Sequence, residues 1–200
     1  MADFLYSIDR SLFFFINHSL QNPLFDAVMP ILTDLNKKPV ALVMFGVLWL
    51  MLLLKGGRNG RIAALLLIPT IFFSDQFNSS YLKDIFGRIR PCHVLPDVNI
   101  LVPCGSGLSF PSSHAVNNFA AAVLLSFYMP KGKWWFYTFA IAMAFSRPYV
   151  GAHYPSDILA GSAIGVGCGA LMIFLYLRIE LWWKNRRHPV EEKQEAEEKP

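Results

Sequence analysis

Two residues in the segment SRPYVGAHYPSD have the types and spacing of a nucleophile and its orienting base. His153 and Asp157 are four apart, so once a helix starts at Pro155 the carboxylate can reach back to one imidazole nitrogen and leave the other as the attacking atom. In isolation such a pair is more often a hydrogen-bonded structural histidine, and its neighbours change that reading. A phosphoryl group in its transition state spreads charge over equatorial oxygens and needs several fixed cations and donors around one point. Lys83 and Arg90 in KDIFGRIRP, and Arg147 in the same segment as His153, supply the charge. In PSSH, directly before an apolar helix, the backbone N–H groups around Ser112, Ser113 and His114 are free to point at an anion. Alone, that motif reads as an ordinary serine N-cap. His114 is the other histidine in these segments and the natural general acid for the leaving oxygen. His18, His93 and His188 have no comparable company and are read as structural or solvent-exposed. The segments lack the tight Cys and His spacing of a zinc site and the clustered carboxylates of a magnesium site, so neither a metal nor another cofactor is expected.

The elements that must position these residues are membrane helices. Of 200 residues, 54% are hydrophobic and 16% charged, with a formal net charge of +4. Long stretches are apolar on every side of a helix, which suits lipid as the solvent. Nucleic-acid binding is disfavoured, since no basic stripe is interleaved with aromatics. Segments 40–54, 62–82, 115–129, 134–145 and 158–177 are candidate crossings. Several are shorter than the roughly 20 residues of a full span, and flanking aromatic and basic side chains make up the difference by snorkelling. Ahead of them, 10–20, with Asp9 as N-cap, and 24–35, interrupted by Pro30, read as interfacial helices. A sixth crossing through 12–20 is the alternative, and it would carry Asp9 and Arg10 toward the lipid core. The expected fold class is therefore an all-α, polytopic transmembrane bundle with five or six spans. Residues 1–185 are expected to form one integral-membrane domain, and 186–200 a charged, disordered cytoplasmic tail.

KGGRNGR, PKGK and RIELWWKNRRH fall on one side, which positive-inside makes cytoplasmic. The three chemical segments then lie on the outer face, where Lys37, Lys38, Lys83, Arg88 and Arg90 run against that rule and invite a functional explanation.

Taken jointly, the motifs resemble the type 2 phosphatidic acid phosphatase family, whose signature reads K-x6-RP, PSGH and SR-x5-H-x3-D. The matches are Lys83 with Arg90 and Pro91, Pro111 to His114, and Ser146 and Arg147 with His153 and Asp157. The resemblance implies a phosphorylated His153, supported by Asp157, with His114 protonating the leaving group. It also implies phosphate held by Lys83, Arg90, Ser112, Arg147 and second-segment amides; the Ser113 hydroxyl, peculiar to this sequence, is a candidate further donor. Ser113 departs from the family glycine and adds a side chain where the backbone approaches the anion. The implied substrates are phosphorylated lipids of the bacterial envelope: undecaprenyl diphosphate, phosphatidylglycerophosphate or the 1-phosphate of lipid A. The implied place is the bacterial inner membrane, with the site facing the periplasm.

Cys92 and Cys104 bracket an outer loop where an oxidising compartment permits a disulfide, and Cys168 reads as packing. Asp75, Gln76 and Asn78 interrupt the second crossing and point to interhelical hydrogen bonds, while Gly161, Ser162, Gly165 and Gly167 point to close packing of the last one. Lipid phosphate hydrolysis is the leading function. Phosphotransfer to a lipid or sugar hydroxyl, and a non-catalytic lipid-binding or transport protein, remain open. A vanadate-type haloperoxidase has a related anion constellation, but those proteins are soluble. The oligomeric state is not legible.

Overall fold

A computed structural model describes residues 2–187. Residues 188–200, with His188 and nearly all of the expected charged tail, lie outside the described residues. The described chain is helical throughout: α1 (Ala2–Phe14), α2 (Pro23–Thr33), α3 (Pro39–Lys55), α4 (Gly57–Phe77), α5 (Lys83–Phe86), α6 (Pro91–Val94), α7 (Ser113–Tyr128), α8 (Lys133–Tyr149) and α9 (Pro155–Arg187). No strand occurs among the described residues. Prolines open α2, α3 and α9, where a missing N–H costs nothing.

α7 is the central helix, packed against α4, α8 and α9. Its seam with α9 depends on small residues: a Cβ on Gly161, Gly165 or Gly169 would come within 2.8, 2.3 or 2.7 Å of the carbonyls of Ser112, Val116 and Ala120 respectively. The three glycines lie four apart on one face of α9, so the backbones approach closely. Gly167 points into open space, because two residues along a helix turn it away from the seam. Ser162 bonds back to its own helix at Ile158 O.

The outer surface is apolar. Val40 of α3 is 83% exposed and Phe72 of α4 is 67% exposed. Two helical stretches, Gly57–Val94 and Pro155–Arg186, are long and apolar enough to cross a membrane, and only 28% of the most apolar window of each is buried. A soluble core helix would hide that surface; apolar surface left exposed on this scale suits lipid as the solvent.

Two local expectations change. Asp9 is no N-cap: α1 starts at Ala2 and runs through it, because Asp9 faces inward to an arginine rather than back to its own amides. Pro30 does not break α2, since it sits in the last turn. Asp75 and Asn78 do bond between helices, to Asn117 and Ser113, whereas Gln76 accepts only from Ser80 in its own turn. The Cys92–Cys104 bridge is formed, and Cys168 is free and buried.

Candidate active site

The α8–α9 turn is built to present His153. Gly151, at φ 87°, takes a left-handed conformation pressed against Asn99 and Val98, where a Cβ would come within 2.9 Å of Asn99 O. Pro155 starts α9, and Asp157 in its first turn accepts the Tyr154 N–H at 2.8 Å, satisfying an amide ahead of the helix. The same carboxylate oxygen lies 3.3 Å from His153 Nδ1. On the other side of the ring, Arg90 Nη1 is 3.0 Å from Nε2. A guanidinium can only donate, so Nε2 presents its lone pair and Nδ1 carries the proton toward Asp157. Nε2 is therefore the nitrogen whose lone pair is available to attack. His153 is 1% exposed, and burial together with Arg147, Arg90, Lys83 and His114 holds its pKa well below 6.5.

Lys83 follows the π-helical turn Asn78–Leu82 and donates to Leu108 O at 2.7 Å. Gly87, at φ 58°, then reverses the chain so that Arg88 and Arg90 turn back toward His153. Arg90 is fixed by Gly107 O at 3.2 Å and Ala152 O at 3.3 Å. From the third motif, Arg147 Nη1 donates to Thr33 Oγ1 at 2.5 Å, and His114 Nε2 lies 3.1 Å from Thr33 O. That carbonyl only accepts, so His114 Nε2 carries a proton and Nδ1 is the atom open to exchange. Ser112 takes the extended N-cap conformation without a side-chain cap bond, and its amide instead donates to Asp157 O at 3.1 Å. Ser112 Oγ and Arg147 Nε are buried with no partner among the described residues, as groups reserved for a ligand would be. Ser113 Oγ is engaged elsewhere, accepting from Asn78 Nδ2 at 2.9 Å.

Seven of the eight residues singled out in the sequence thus surround one point, with Ser113 at its edge. Four others were not anticipated in this role. Ser109 donates a hydrogen bond to Asp157 and lies 3.3 Å from His153 Nδ1. Arg88 joins Asp157 Oδ1 at 2.7 Å to Asp9 Oδ2 at 2.6 Å, stacked 3.9 Å from the Tyr154 ring centre. Asp9 also accepts from the Ser156 amide at 2.9 Å. Thr33, from α2, holds Arg147 and His114 together. Arg88 was visible as an outer-face cation; its partner Asp9 lies 79 residues away, and no spacing rule links them.

The PAP2 superfamily profile matches residues 60–180. A lipid A 4'-phosphatase of Bacteroides thetaiotaomicron is 33% identical over 187 residues, covering 88% of this chain and 80% of that protein. The crystal structure of Aquifex aeolicus LpxE superposes with a TM-score of 0.69 at 28% identity, covering 83% of this chain and 94% of that one. A transmembrane PAP2-type phosphatidylglycerolphosphate phosphatase from Bacillus subtilis has the same fold, with a TM-score of 0.65 at 22% identity over 88% of this chain and 87% of its own. With the motifs, the fold and these matches in agreement, the chain belongs to the PAP2 superfamily.

Proposed function

We propose that the protein is a membrane lipid phosphatase that removes a head-group phosphate through a phosphohistidine on His153. The observation that carries this is the His153 ring, gripped between Asp157 at Nδ1 and Arg90 at Nε2. Nε2 attacks phosphorus as the P–O ester bond breaks, and His114 Nδ1, having taken up the acidic proton of the bound phosphate monoanion, delivers it to the departing lipid oxygen while Nε2–H stays on Thr33 O. Water then attacks the phosphorus, giving a proton to His114 as the P–N bond breaks, and inorganic phosphate leaves with His153 restored. Arg90 transfers its hydrogen bond from Nε2 to a phosphoryl oxygen during attack. Lys83, Arg147 and Ser112 hold the remaining oxygens, and Ser113 keeps the second-segment amides in position. Three cations and the α7 N-terminus provide the charge that a metal supplies in other phosphatases, so turnover should persist in EDTA.

Phosphorylated envelope glycolipid is the leading substrate, given the relative named a lipid A 4'-phosphatase. Phosphate release from lipid A, undecaprenyl diphosphate and phosphatidylglycerophosphate in detergent with EDTA tests this, comparing the unaltered protein with His153→Ala. Release abolished by the substitution, with acid-labile label on the unaltered protein, is expected. Release that needs added metal, or survives the substitution, would refute the mechanism.

On the same reading, residues 2–187 form one domain that crosses the bacterial inner membrane five times, by α3, α4, α7, α8 and α9. α1 and α2 lie at the periplasmic interface. Supporting this, Asp9 of α1 pairs with Arg88 at the level of the site, where a sixth crossing would have carried it into lipid. Arg58 and Glu180 join the α3–α4 turn to the far end of α9, the end rich in Lys, Arg and Trp.

A further inference from the structure

α3, α4, α7 and α8 line a half-open cavity of about 660 Å³ that meets the site residues at Ser113 and His114. Its walls are apolar, with Leu48, Ile71 and Phe139 among them, but one carboxylate, Asp75 of α4, lines it too. An ionisable group inside a membrane bundle is costly and needs a purpose. Asn117 Nδ2 donates to Asp75 Oδ1 at 2.8 Å, and Ser74 Oγ donates to the Asn117 carbonyl at 2.8 Å, which fixes the amide's orientation. Asp75 forms no ion pair, and Oδ2 has no donor, among the described residues. Asn117 stands three residues beyond His114 on α7, about 4.5 Å further along the axis.

In-line displacement puts the leaving oxygen opposite the nucleophile. With His153 attacking and His114 protonating, the leaving group therefore extends past His114 into this cavity. The carboxylate that lines the cavity it enters is Asp75.

We propose that Asp75, oriented by Asn117, is a specificity subsite for the leaving group. It accepts a hydrogen bond from a hydroxyl or amide N–H next to the leaving oxygen, as in a phosphorylated sugar lipid. It disfavours a leaving group that is itself a phosphate, as in a polyprenyl diphosphate, because the two anions repel. One residue thus attracts one substrate class and rejects another. The proposal rests on His114 as the general acid.

The test compares kcat/KM for lipid A and undecaprenyl diphosphate in the unaltered protein, Asp75→Asn and Asn117→Ala. Asp75→Asn should lower the glycolipid-to-diphosphate ratio by roughly tenfold or more, the size of a lost charge-assisted hydrogen bond. Asn117→Ala should shift it the same way by less, since the carboxylate remains but is free to rotate. An unchanged ratio, or equal losses on both substrates, would overturn the subsite while leaving the hydrolytic reading intact. Release that persists in His153→Ala would overturn both.

Discussion

Burial and charge act in the same direction on His153. A proton on the ring would be desolvated and would face Arg147, Arg90 and Lys83, so the imidazole stays neutral far below pH 6.5. The acid limb of the kcat/KM profile assigned to the nucleophile should accordingly lie well below 6.5 rather than near it. The sign for stability follows by linkage: below 6.5 the unfolded chain takes up a proton that folded His153 refuses, so stability is full above 6.5 and declines as pH falls toward the folded pKa. Thermal unfolding in detergent between about pH 7.5 and 5 checks the second statement, and an unchanged midpoint would contradict it. A rate profile whose acid limb sits at the ordinary histidine value would contradict the first. Ser113 shows the same dependence on surroundings: the hydroxyl that replaces the family glycine is held by Asn78.

Among the elements, α1 reaches the site through Asp9, which holds both the Arg88 guanidinium and the Ser156 amide. Arg88 is held by Asp9 on α1 and Asp157 on α9, so helices at opposite ends of the sequence share it. Asp9→Asn should weaken a charge-assisted pair by roughly 1.5–3 kcal/mol. It should also lower kcat more than it raises KM, because Asp9 acts on Asp157 through Arg88 rather than on the substrate. Denaturant titration and steady-state kinetics measure the two effects, and a pure KM defect would speak against orientation. The α7–α9 seam is the other element on which the site depends, since it sets Ser112 against Asp157. Gly165→Ala puts a methyl only 2.3 Å from Val116 O, and should cost roughly 1–3 kcal/mol by forcing the helices apart. Gly167→Ala, facing open space, serves as the control and should be near neutral.

For the whole molecule, the bundle's two ends differ in kind. One end gathers the three motif segments, the α1 anchor and the bridged loop at Cys92–Cys104; the other gathers Lys55, Arg58, Lys131, Lys133 and the Arg58–Glu180 pair. If positive-inside holds, a membrane-impermeant thiol reagent on intact cells should label Asp97→Cys and spare Lys131→Cys. The reverse pattern would place the site in the cytoplasm and remove periplasmic lipids as substrates. Legibility in the sequence followed range. The apolar helices were readable because lipid demands continuous apolar runs, and the eight candidate site residues because each lies at the end of such a run within a short motif. Asp9 as a helix cap, and Gly167 as a packing residue, were misread from local pattern: both depend on which way a helix faces, and that is settled by its neighbours. By itself the sequence determined the helical membrane class, the candidate nucleophile with its candidate acid, and the cations, since these are properties of residue type and near spacing. Only the tertiary structure decided that Arg88, Asp9, Ser109 and Thr33 support them and that Asp75 borders the cavity beside His114. Those partnerships join segments tens of residues apart through the packing of whole helices, which no local pattern encodes.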